Sequence, residues 1–146
     1  MTYLFDTNII LHFVRDSQEY ERWNQIYQFF DTNNVVLTSL ISVGEMESLA
    51  HQLNWGAAKR QKLADILSQT EIVDLNNQIA LTYARIDAYS QNKLKNNPLP
   101  TGLTARNMGK NDIWLAATAH LGDCKFVTTD RDFDHLQGVY IDLLRL

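Results

Sequence analysis

The sequence predicts an α/β fold: a single three-layer α/β/α domain over residues 1–146, built on a mainly parallel sheet of about five strands. Five short apolar runs read as strands. Most are separated by stretches of helical spacing, which imply right-handed crossovers and a sheet covered on both faces. The length of 146 residues fits one domain with a real core.

Taken in order, Tyr3-Leu4-Phe5 is an apolar run that stops at Asp6-Thr7-Asn8, a turn or cap signal. Ile9 to Val14 reads as a helix start. Glu19 to Phe30 reads as a second helix, with Trp23, Ile26, Tyr27 and Phe30 at helical spacing. Val35 to Thr38 is a buried strand, followed by helices over Ser42 to Leu53 and Ala57 to Leu67. Ile72 to Leu75 is a short strand, and Asn76 caps a helix running to about Lys93. Asn96 to Gly109 holds both prolines and Gly102 and is the one long loop. Asn111 to Leu121 is helical, Lys125 to Thr129 is a strand, Asp130-Arg131-Asp132 is a turn, and Val139 to Leu144 is a final strand. The predicted order is β-α-α-β-α-α-β-α-α-β-β.

Composition narrows the function classes. A hydrophobic fraction of 45% and a charged fraction of 21% are ordinary for a globular protein. A net charge of −4 argues against a protein that coats nucleic acid by bulk electrostatics. It leaves room for an enzyme that holds nucleic acid locally, because a carboxylate site filled with divalent metal is far less negative than the residue count. The single cysteine, Cys124, excludes an internal disulfide and a multi-cysteine zinc site. No apolar run is long enough for a membrane span, and no leader pattern opens the chain, so the cytoplasm is the expected location. His12, His51, His120 and His135 form no zinc spacing, and no glycine-rich nucleotide loop is present.

In sheets of this kind ligands bind beyond the carboxyl ends of the strands, where strand order reverses. Asp6 follows the first strand and Asp130 the fourth. Asp112 lies in the first turn of a helix that is apolar almost all round, and Glu45 lies near the start of the Ser42 helix. Each has a plainer reading. Asp6 caps the following helix; Asp112 complements a helix dipole; Glu45 is solvated; Asp130 is turn chemistry. If strands one and four are neighbours, the four acids meet. They would then repel unless a cation sat among them, and oxygen ligands suit Mg²⁺ or Mn²⁺.

Four segments carry a family resemblance: Phe5-Asp6-Thr7-Asn8-Ile9, Ser42-Val43-Gly44-Glu45, Gly109-Lys110-Asn111-Asp112 running on to Ala119, and Val127-Thr128-Thr129-Asp130-Arg131-Asp132-Phe133. In this order they resemble the PIN domain, and specifically the VapC-type toxins of bacterial toxin–antitoxin pairs. The resemblance implies hydrolysis of RNA phosphodiesters with Mg²⁺ or Mn²⁺ held by Asp6, Glu45, Asp112 and the more variable Asp130. Thr128 would be the hydroxyl accompanying the last acid, with Asn8 and Asn111 as supporting polar residues. Asp132 is a substitute for Asp130, and Asp134 a weaker one. It also implies a homodimer and a small antitoxin lying in an apolar groove between helices, where Phe13, Trp23, Tyr27, Trp55 or Trp114 either contact it or simply pack in the core.

From Ala88 to Asn111 there is no acid, while Lys93, Lys95, Arg106 and Lys110 are basic. Arg106 and Lys110 are therefore candidates to hold RNA phosphates, the alternative being a solvated loop. Two rival functions stand beside this one. A haloacid-dehalogenase-type phosphatase also places an aspartate after its first strand, but wants a second two residues on, where this chain has Asn8. A catalytically inactive PIN-like module would bind RNA or protein without needing all four acids.

Overall fold

The computed structural model describes all 146 residues. Strands β1 (Thr2–Phe5), β2 (Val35–Ser39), β3 (Glu71–Val73), β4 (Lys125–Thr128) and β5 (Asp142–Arg145) form one sheet. Its order is β3-β2-β1-β4-β5, and every neighbouring pair is parallel. The helices are α1 (Thr7–Val14), α2 (Gln18–Tyr27), α3 (Leu40–Gln52), α4 (Ala57–Ser68), α5 (Asn77–Ser90) and α6 (Lys110–Gly122), with a 3-10 helix at Arg131–Leu136.

Side chains alternate across a strand, and β1 divides between two cores accordingly. Tyr3 and Phe5 enter a core built with α1 to α4, including Ile9, Phe13, Met46 and Leu63. Leu4 enters the opposite core, built with α5, α6 and the 3-10 helix, including Ile86, Ile113 and Phe133. Helix α6 buries Ile113, Leu115, Ala116, Ala117, Thr118 and Ala119, as its nearly all-round apolar sequence requires. Phe13, Trp23 and Trp55 are buried, so their aromatic surface serves packing.

Several boundaries differ from expectation for local reasons. Helix α2 stops at Tyr27 because Gln28 takes a left-handed backbone, φ 47°. That turn drives Phe29 into the core, with its ring centroid 5.0 Å from those of both Tyr3 and Phe5. Helix α3 begins at Leu40, two residues early, because Ser39 accepts a cap bond from the Ile41 N–H at 3.3 Å. Asn76 does cap α5, accepting from the Ile79 N–H at 3.0 Å, but α5 ends at Ser90 rather than near Lys93. The turn after Asp130 tightens into the 3-10 helix. Gly138 to Tyr140 form a turn, with Gly138 at φ 73°, and Ile141 makes only an isolated bridge to Gln137, so the last strand starts at Asp142. The long loop is stitched back onto α5. The Arg106 N–H donates to the Ser90 carbonyl at 2.8 Å, and the Leu99 N–H to Asn92 Oδ1 at 2.9 Å. No helix is long and apolar enough to cross a membrane.

Phe126 on β4 is fully buried, with its ring 4.7 Å from that of Phe133 on the 3-10 helix. Phe126→Ala is expected to lower stability by about 3–5 kcal/mol in urea denaturation. Ile26→Ala, at a position 61% exposed, is expected to change it by less than about 0.5 kcal/mol.

Candidate active site

From β1 the chain moves outward through β2 and β3, then crosses back to β4 and β5 on the other side. The reversal therefore falls between β1 and β4, and the crevice at their carboxyl ends is the place for a ligand. Asp6 enters it directly from β1, with its own N–H donating to the Val127 carbonyl of β4 at 3.0 Å. Its residue is only 4% exposed. A charge so placed needs partners. The hydroxyl of Thr128, itself buried, donates to Asp6 Oδ2 at 2.6 Å. Thr128 in turn accepts the Asp130 N–H at 2.9 Å. Burial pushes the Asp6 carboxyl above its ordinary range; the bonds from Thr128 and the Thr7 backbone hold it down, and the charges of Asp130 and Glu45 raise it again.

Asp112 arrives from the first turn of α6 and is half-buried. Its pKa is pushed up to about 6, first by burial and then by the negative charges of Asp6, Asp130, Glu45 and Asp132. The four acids predicted from sequence are thus close enough for each of the other three to act on Asp112. Gly109 gives this carboxylate its room: a Cβ there would lie 2.8 Å from Asp112 Oδ2.

Glu45 comes from α3 and is held on both oxygens. Thr7 donates its hydroxyl to Oε2 at 2.5 Å, and the Asn111 side-chain amide donates to Oε1 at 2.8 Å. Asp6, Asn8, Glu45, Asn111 and Asp112 line one cavity of about 630 Å³, which continues between α1 and α3 past Leu11, Ile41 and Leu49. Asp130 stands off its wall. It caps the 3-10 helix, accepting the Asp132 N–H at 2.9 Å. Asp132 is exposed, and its charge still reaches Asp112. Asp134 points elsewhere and pairs with Arg145.

The two basic candidates do not share a location. Arg106 is half-buried in a groove of about 230 Å³ with Lys93 and Asn107, and its charge helps push His135 down to about 4, after burial. His135 is therefore neutral near pH 7, and its Nε2 lies 2.7 Å from Ser90 Oγ. Lys110 is exposed at the start of α6, and neither Arg106 nor Lys110 forms an ion pair. Cys124 is buried, its thiol pushed up to about 11 by burial, and serves packing. Three residues around the acids escape a reading of the sequence for acids alone: Thr7, Ser42 and Gly109. Each lies within the motif segments, which is the signal that marks them.

The donor set is all oxygen, which suits a hard divalent cation. No three His, Cys, Asp or Glu side chains already converge on one metal position.

The PIN domain family matches residues 3–139. No curated protein matches the chain in sequence. Among solved structures, the fold is similar to a chain of VapBC2 from Rickettsia felis bound to a promoter DNA fragment, with TM-score 0.75 and 21% identity over 99% of this chain and 98% of that one. It is similar to a chain of FitAcB from Neisseria gonorrhoeae, with TM-score 0.73 and 21% identity over 98% and 96%. VapBC-1 from nontypeable Haemophilus influenzae gives TM-score 0.69 and 21% identity over 99% and 98%.

The crowding of acids has a measurable sign. Asp112 binds its proton more tightly when folded than when unfolded, where its value is near 3.8. Its contribution to stability therefore falls as pH rises from about 4 through about 6. In the presence of a chelator, Asp112→Asn is expected to gain stability relative to the parent between about pH 4 and about pH 7, measured by urea denaturation. A pH-independent difference between the two proteins would show that Asp112 ionises normally.

Proposed function

The chain belongs to the PIN domain family, and from that premise we propose that it is a divalent-metal-dependent endoribonuclease acting as the toxin of a toxin–antitoxin pair. PIN domains are nucleases, so hydrolysis of a phosphodiester follows from the family. RNA as substrate, the metal and the toxin role are the reading advanced here. The observation that carries it is the meeting of Asp6, Glu45 and Asp112, from β1, α3 and α6, on one cavity at the switch point.

In this reading Asp6, Glu45 and Asp112 hold the metal, with Asp130 beside them. Bound Mg²⁺ or Mn²⁺ supplies Lewis acidity toward water and a phosphate oxygen. The chain's own residues do the rest. Thr128 fixes one oxygen of Asp6, so that a nearly buried carboxylate keeps a single orientation. Gly109 leaves Asp112 free to approach. Lys110, at the start of α6, meets the RNA backbone beside Asp112, and the helix N-terminus adds its partial positive charge there. Arg106 and Lys93 hold phosphates further along the strand.

A partner also fits. The solved structures that the chain resembles include toxin–antitoxin complexes. The apolar continuation of the cavity past Leu11, Ile41 and Leu49 offers a seat for an antitoxin segment, and the unneutralised acids beside it would receive a basic side chain. A homodimer and action on cytoplasmic RNA complete the proposal.

With Mn²⁺ or Mg²⁺ the purified protein is expected to cut RNA oligonucleotides, and chelation to stop it. Asp6→Asn and Asp112→Asn should each slow cleavage by at least about a hundredfold with circular dichroism unchanged. RNA left intact by the parent in either metal, or a fully active Asp112→Asn, would overturn the reading. Separately, Arg106→Gln with Lys110→Gln should make the dependence of log affinity on log salt shallower by about 1.4 for single-stranded RNA. An unchanged slope removes both residues from the substrate path.

A further inference from the structure

Thr7 follows Asp6 at the start of α1, yet a part-buried hydrogen-bond chain runs through it and away from its own helix. Its hydroxyl lies 2.5 Å from Glu45 Oε2 and 2.9 Å from Ser42 Oγ. A hydroxyl has one proton and an ionised carboxylate only accepts. Thr7 therefore donates to Glu45, and Ser42 donates to Thr7. Helical serines and threonines commonly bond the carbonyl four residues back, as Thr118 does to Trp114 at 2.8 Å. Ser42 is fully buried on α3 and makes no such bond. Its one side-chain partner is Thr7, and a buried hydroxyl requires a partner.

We propose that Ser42 and Thr7 are positioning residues for Glu45, and that they set its carboxylate for a divalent cation. This rests on the metal-dependent reading above. Asn111 holds the other oxygen from α6 at 2.8 Å, but in an exposed setting, where water competes. The Ser42–Thr7 arm is part-buried and ends on a fully buried hydroxyl, so water competes with it less. Each oxygen of Glu45 accepts one bond and keeps a lone pair for the ion. The arm also joins α1 to α3, so the spacing between Asp6 and Glu45 is fixed by hydrogen bonds as well as by packing.

The test is binding of Mn²⁺ alone to the full chain, read from the electron paramagnetic resonance signal of free Mn²⁺. Thr7→Val is nearly isosteric and should weaken Mn²⁺ binding by about 10–100-fold. Thr7→Ser, which keeps the hydroxyl, should restore affinity to within about twofold of the parent. Ser42→Ala, which leaves Thr7 in place but unoriented, should weaken binding by a smaller factor and guards against failure of the valine variant to fold. Parental affinity in both Thr7→Val and Ser42→Ala, alongside loss in Glu45→Gln, overturns the positioning role while the metal reading stands. A parent that binds no Mn²⁺ overturns the metal reading and this proposal with it.

Discussion

The hydrogen bond between Thr128 and Asp6 makes an ionisable group tolerable at the centre of the sheet. Asp6 closes the middle strand, is 4% exposed, and would carry the full cost of an unpaired buried charge without a donor. The hydroxyl at 2.6 Å comes from the neighbouring strand, so the bond exists only if β1 and β4 are paired in register. Fold and site are in this respect one constraint. The same threonine accepts the Asp130 N–H and so places the next acid.

Around that bond the remaining acids are brought in by elements whose own reasons for folding are ordinary. Helix α6 is drawn into the core by its apolar residues and carries Asp112 with it. Helix α3 packs Met46 and Ala50 into the other core and carries Glu45. Packing energy thus offsets the burial, and after it the repulsion, that lift Asp112 to about 6. A site assembled this way is stable as a scaffold and electrostatically strained as a cluster, the combination that favours a cation.

Much of this was legible in the sequence. The expected strand ends at Phe5 and Thr129 announced where Asp6 and Asp130 would stand, and the all-round apolar character of α6 announced that Asp112 would be carried inward. What escaped had physical causes. Phe29 and Phe30 continue a helical apolar pattern, and only the left-handed backbone at Gln28 breaks it. The choice between Asp130 and Asp132 depends on a 3-10 helix whose cap is Asp130 itself, and spacing alone does not encode that. Arg106 and Lys110 look like one basic stretch in the chain, but the bond from the Arg106 N–H to Ser90 holds Arg106 beside α5 while Lys110 opens α6. The hydroxyls of Thr7 and Ser42 have no periodicity to betray them.

Strand order has a consequence for how the protein comes into being. The bond that settles Asp6 joins residues 122 positions apart, and contacts between such distant parts of a chain form late and slowly. During synthesis β1, β2 and β3 emerge first, with Asp6 still facing water and no neighbour on its other side. The acidic pocket closes only after β4 is made. A nascent chain is therefore without an assembled acidic pocket for most of its translation, and whatever chemistry the pocket performs waits until the polypeptide is nearly whole.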